Sequence, residues 1–217
     1  MIYLCDISKS VTEEHTGRKL VLQNSSVAVP TERRIVLHGG DSRCLTEILS
    51  MLAGVRKPDR GRIIANRIRC SPVINAGGTA GSTLVPQLTV LENIRVVARA
   101  YGLDEARLLG VVESACHLDR LLAVPVRTFN WPTRRKLEAT LIAALPFDCY
   151  FVDRLHELEG QFVWQLIHVA GKRGAGIIFT STRVKQTLKI AEMAIVVRNG
   201  SAELLPHVRK AITQHVH

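Results

Sequence analysis

Gly39, Gly40, Asp41, Ser42, Arg43, Cys44, Leu45, Thr46 and Glu47 carry the most pointed chemistry in this chain. An apolar run, Ile35 to Leu37, leads into them and a helical pattern leads out. Strand, glycine loop and helix, in that order, make a cradle for phosphate. The pattern G-x-x-x-x-G-K-[ST] works because glycines let backbone N–H groups curl round phosphate oxygens. A lysine then neutralises the β- and γ-phosphates, and a hydroxyl meets Mg²⁺. Counted from Gly39, the second glycine position holds Cys44, the lysine position Leu45 and the hydroxyl position Thr46. The layout is present and its central cation is missing. A second candidate closes the run Cys149-Tyr150-Phe151-Val152-Asp153, which reads as a buried strand ending in a carboxylate. Asp153 is either a metal carboxylate or a hydrogen-bonded strand-end group.

Other constellations are thin. The histidines show no HExxH or similar metal-ligand spacing, although His215 and His217 could take a metal adventitiously. The cysteines (Cys5, Cys44, Cys70, Cys116, Cys149) form no CxxC, and their odd number points to reduced thiols. Hydrophobic residues make up 47%, enough for a sizeable core. No apolar run nears the roughly 20 residues that cross a bilayer, and Met1 to Asp6 show no signal-peptide pattern. A net charge of +10 implies attraction to something acidic, or simply a solvated basic surface. The densest basic clusters are Arg33-Arg34 and Arg134-Arg135-Lys136, and no nucleic-acid-binding motif accompanies them.

Elements must position these groups. Ile2 to Leu4, Lys19 to Leu22, Val27 to Val29 and Ile35 to Leu37 read as strands, with a hairpin turn over Thr12 to Arg18. Residues 43–53 form an amphipathic helix ended by Gly54. Arg62 to Ala65 and Arg69 to Ile74 read as strands, followed by a Gly-rich loop from Asn75 to Thr83. Thr89 and Glu92 form a capping box for a helix to Ala100. Helices follow at Asp104 to Ala115, Leu118 to Leu122 and Pro132 to about Leu145. Thereafter strands and helices alternate: Asp148 to Asp153, Gln161 to Lys172, Gly176 to Thr180, Arg183 to Glu192 and Met193 to Val197. Asn199-Gly200 reads as a type I′ turn into Ala202 to Leu205, before a last helix. The sum is a mixed α/β fold with inserted helices.

From end to end this layout resembles the ATP-binding subunits of ABC transporters, most closely those that export capsular polysaccharide in Gram-negative bacteria. Arg56-Lys57-Pro58-Asp59-Arg60-Gly61-Arg62-Ile63 looks like the family's RPDSGKI turn. Pro72 with Ala76-Gly77-Gly78, and Val97 to Tyr101, match as well. Leu88-Thr89-Val90-Leu91-Glu92-Asn93-Ile94 looks like its LTVxENI helix start, and Phe147 to Asp153 like its Walker B strand. The resemblance implies a P-loop NTPase-like nucleotide-binding domain: a mixed sheet core, an antiparallel β subdomain and an inserted helical subdomain. One domain spans 1–217, with core and β subdomain at about 1–87 and 147–217 and the helical subdomain at about 88–146.

The resemblance also implies ATP and Mg²⁺ as cofactors, a membrane permease as partner, and a homodimer or a heterodimer with an active ATP-binding subunit. It places the chain in the cytoplasm, peripheral on the inner face of the bacterial inner membrane. Yet the family's chemical positions are altered. Val11 stands where an aromatic stacks on adenine, Ala80 where a glutamine touches Mg²⁺, and Arg154 where a glutamate polarises water. Thr182 replaces the switch histidine, and Asn130-Trp131-Pro132-Thr133 replaces the signature loop. Thr46 and Asp153 remain for a metal. The expectation is an exporter subunit that no longer hydrolyses ATP. Leu45 then packs in the core, Arg154 pairs with Glu157 or Glu159, and Thr182 caps the next helix. The alternatives are a weakly active ATPase of the same transporter, and a free-standing basic protein that binds acidic polymer or nucleic acid.

Overall fold

A computed structural model describes residues 1–13, 17–75 and 83–213. It divides into two compact units, Met1–Asn75 with Phe147–His217, and Ala76–Pro146. The Gly-rich stretch that includes Ala80, and the terminal His215 and His217, lie outside the described residues.

The first unit begins with β1 (Ile2–Glu13), β2 (Gly17–Val29), β3 (Arg34–His38), α1 (Ser42–Leu52), β4 (Arg60–Ile64) and β5 (Cys70–Asn75). Three elements of the second unit follow: α2 (Val90–Tyr101), α3 (Glu105–Cys116) and α4 (Trp131–Ala144). The chain returns to the first unit with β6 (Cys149–Asp153), α5 (Gly160–Lys172), β7 (Gly176–Thr180) and α6 (Val184–Ile190). It ends there with β8 (Met193–Arg198), β9 (Ser201–Leu205) and α7 (Val208–Thr213).

Two sheets organise the first unit. A six-stranded sheet runs β5-β6-β7-β3-β8-β9, parallel except for the β8–β9 hairpin. Every residue of β6 and β7 is buried, as their apolar, β-branched and aromatic content requires of strands covered on both faces. A smaller antiparallel sheet runs β2-β1-β4. Its β2 is one strand where the sequence suggested two. The polar segment between Gln23 and Ser26 does not break it, because its side chains bond across the ladder. Asp6 N–H donates to Ser26 Oγ at 2.9 Å, and Ser8 Oγ donates to Asn24 Oδ1 at 3.1 Å. Between the sheets α1 buries Leu45, Ile48, Leu49 and Leu52, the i, i+3, i+4, i+7 face of an amphipathic helix. They join Ile35, Leu37, Phe151, Ile178 and Ile195 in the core. Asn199 (φ 47°) and Gly200 (φ 77°) form the type I′ turn of the β8–β9 hairpin. On α5, Trp164 is exposed.

The second unit is helical. The capping box of α2 is formed: Glu92 N–H donates to Thr89 Oγ1, and Thr89 N–H to Glu92 Oε2 at 2.8 Å. Asn93, buried to 1% exposure, accepts from Val85 N–H at 2.7 Å and donates to the Val85 and Thr89 carbonyls. The expected helix at Leu118 to Leu122 is a single 3-10 turn, Asp119–Leu121, closed by Leu121 N–H to the Leu118 carbonyl. It is too short for an α-helix between left-handed His117 (φ 52°) and Pro125. Among the described residues, no helix is long and apolar enough to cross a membrane.

Candidate functional site

β3, β7 and β6 lie side by side, so their carboxyl ends deliver the glycine loop, Thr180 and Asp153 to one edge of the sheet. That edge is where open α/β sheets bind ligands. Gly39 turns the chain with φ +85°, and any Cβ there would collide with the Val197 carbonyl oxygen. Gly40 follows at φ +66°. Asp41 then caps α1, its Oδ1 accepting Cys44 N–H at 2.8 Å, while Cys44 Sγ lies 3.5 Å from Oδ2.

The same carboxylate is ion-paired with Lys19 of β2. Lys19 stands directly opposite Val11 in the β1–β2 ladder. The Lys19 hydrogen bond, with the Cys44 N–H second, holds the Asp41 carboxyl down to about 2. Ser42 and Arg43 are exposed, and Arg43 donates to the Thr12 carbonyl at 2.7 Å. Leu45 is in the core, as expected, at 9% exposure; burying such a side chain contributes about 1.5–3 kcal/mol. Glu47 faces Lys9 at 3.5 Å, and Lys9 also meets Asp59 at 3.3 Å. Val11 packs against the core.

A triphosphate does not fit this loop. The helix N-terminus is the place where a phosphate would find backbone N–H groups. Here the Cys44 N–H already serves a carboxylate, and an incoming anion meets a like charge.

The expected metal pair does come together. Thr46 Oγ1 lies 3.0 Å from both Asp153 oxygens. Thr180 Oγ1 donates to Asp153 Oδ1 at 2.7 Å and accepts Arg154 N–H at 2.7 Å. Asp153, at 2% exposure, is hydrogen-bonded at the strand end by both hydroxyls. Arg154 sits at φ 50°, pairs with Glu157 at 3.2 Å and brings Nε to 3.8 Å from Asp153 Oδ2. Among the described residues no three His, Cys, Asp or Glu side chains converge on a metal position. Mg²⁺ needs a near-octahedral oxygen set, part of it from substrate phosphates. With the Asp41 carboxylate on the phosphate side and a guanidinium beside Asp153, the residues present do not fit it.

Thr182 does not cap α6, whose N-cap is Arg183 without a side-chain bond. It contacts His156 instead. Thr182 N–H donates to Nδ1 at 3.3 Å, and Oγ1 lies 3.2 Å from Nε2, an arrangement satisfied by an imidazole protonated on Nε2. In the second unit, Asn130 caps α4 by accepting Thr133 N–H at 3.0 Å, so one donor of the signature loop is already used. Pro132 supplies none. Trp131 is exposed, with the Arg135 guanidinium 5.1 Å above its ring.

Sequence reasoning missed Lys19 and Thr180. A turn placed symmetrically over Thr12 to Arg18 already sets Lys19 opposite Val11. Thr180 is the last residue of the buried strand beside Asp153's own.

No family model matches the chain. It is 28% identical over 205 residues to the polysialic acid transport ATP-binding protein KpsT of Escherichia coli, spanning 92% of this chain and 89% of that protein. A second Escherichia coli KpsT is 32% identical over 159 residues, 71% of this chain and 69% of that protein. The capsule polysaccharide export ATP-binding protein CtrD of Neisseria meningitidis serogroup B is 25% identical over 139 residues, 64% and 62% of the two chains. A solved structure described as the ATP-binding subunit of an ABC transporter superposes with a TM-score of 0.75 at 19% identity. It covers 100% of this chain and 95% of its own, and so shares its fold.

Proposed function

This chain belongs to the ATP-binding subunits of ABC transporters, beside those of capsule polysaccharide export, and on that premise we propose that it serves such an exporter without hydrolysing ATP. The observation that carries the loss of hydrolysis is Arg154. A general base must accept a proton from water. The side chain after Asp153 is a permanent cation, tied to Glu157 and turned toward the carboxylate it follows. The phosphate loop supports this reading too, because the Asp41 carboxylate at its helix start opposes a triphosphate, and a subunit that binds none has none to cleave.

The role left to it is scaffolding or regulation. The cassette docks on a membrane permease at the inner face of the membrane, and pairs with itself or with an intact ATP-binding subunit. The cargo is a capsular or other cell-surface polysaccharide, the class named for its relatives. The test is phosphate release by the purified protein, alone and with its permease. Release is expected to stay at background and to be unchanged by Asp153→Asn. Turnover that Asp153→Asn abolishes would sink the proposal.

A further inference from the structure

The charges of a nucleotide complex are present in this chain, carried by its own side chains. Leu45 has lost the loop's lysine, yet an ammonium still reaches the loop, because Lys19 crosses from β2 to Asp41. Where a phosphate would sit at the N-terminus of α1, the Asp41 carboxylate takes the Cys44 N–H at 2.8 Å. Where a divalent cation would stand near Asp153, the Arg154 guanidinium lies 3.8 Å from Oδ2. Each pair sets a cation against a carboxylate, and Arg43 ties the loop to β1 through the Thr12 carbonyl at 2.7 Å.

We infer that the Lys19–Asp41 and Arg154–Asp153 pairs are internal substitutes for the lysine–phosphate and metal–carboxylate pairs of a nucleotide complex. The two pairs hold the loop in shape without ligand, and the Asp41 charge keeps phosphate out. The inference rests on the reading of a non-hydrolysing subunit and gives that reading a cause. A helix cap alone would not need a lysine from another strand. The Lys19 and Asp41 side chains are 43% and 37% exposed, so the barrier is charge rather than bulk, and salt screens it.

Asp41→Asn tests this without removing the cap, because asparagine caps helices as well as aspartate. Binding of inorganic pyrophosphate is measured by titration calorimetry at low ionic strength, with circular dichroism to check each fold. The wild type is expected to give no saturable binding at millimolar pyrophosphate. Asp41→Asn removes one like charge within contact range and is expected to bind about tenfold tighter or better. Adding Lys19→Met to Asp41→Asn should abolish that gain, since the freed ammonium is what holds the anion. Equal affinity in wild type and Asp41→Asn, or a double variant that binds as well as Asp41→Asn, overturns the inference. Neither outcome touches the loss of hydrolysis, which stands or falls on phosphate release by the unaltered protein.

Discussion

Replacing Thr180 by valine should unseat Asp153 more than any other change of equal size. Valine keeps the shape of a side chain that is 5% exposed, so little packing is lost. The hydroxyl performs two tasks at once, donating to Asp153 Oδ1 at 2.7 Å and accepting Arg154 N–H at 2.7 Å. A hydrogen bond to a charged group contributes about 1.5–3 kcal/mol, and leaving a buried amide unmet costs about 1–3 kcal/mol. The amide is only partly buried and the two effects overlap, so the expected loss is about 2–4 kcal/mol in all. Thr46→Val removes a single donor from the same carboxylate, and about 1–2 kcal/mol is expected. The double variant strands a carboxylate of 2% exposure beside a guanidinium, so its loss should exceed the sum of the two. Urea unfolding at neutral pH measures all three, read as midpoint shifts at unchanged slope. The reasoning is refuted if Thr180→Val falls within about 0.5 kcal/mol of wild type, the range of neutral surface changes. Recovery of the lost stability by millimolar Mg²⁺ would refute it too, because a metal would then hold the carboxylate.

Asn93→Leu fits the space but leaves Val85 N–H without its acceptor, and a loss of about 2–3 kcal/mol is expected with faster hydrogen exchange at Val85. Leu45→Lys restores the letter of the phosphate motif, yet forfeits a buried side chain; it should destabilise by about 2 kcal/mol and leave phosphate release at background. Thr89→Ala opens the capping box of α2 and should cost about 1 kcal/mol by thermal unfolding. The Asp41 carboxyl lies below its unfolded value of 3.8, at about 2, so its stabilisation is complete above pH 4 and fades as pH falls toward 2. Because the pair is exposed, the stability gap between wild type and Asp41→Asn should stay under about 1 kcal/mol at neutral pH and vanish across that window.

The scaffold was legible because its signals are local and redundant. The capping box at Thr89 and Glu92, the apolar face of residues 45 to 52 and the Asn-Gly turn each specify one backbone geometry. The polar run at Asn24 to Ser26 misled, since its cross-ladder bonds to Asp6 and Ser8 exist only once β1 is alongside. The site was legible as a set of losses. Leu45 lost a charge, Arg154 reversed one, and both packed where expected. The groups that meet Asp41 and Asp153 were harder to read, because Lys19 and Thr180 act across strands. The Thr182–His156 contact was hidden for the same reason, its partners lying 26 residues apart.

On the reading proposed above, a cassette that carries its own counter-ions would have no fuel gauge. The Lys19–Asp41 pair would answer to salt and pH rather than to swings in adenylate supply. The expectation is that such a subunit keeps its shape through starvation that idles an intact neighbour.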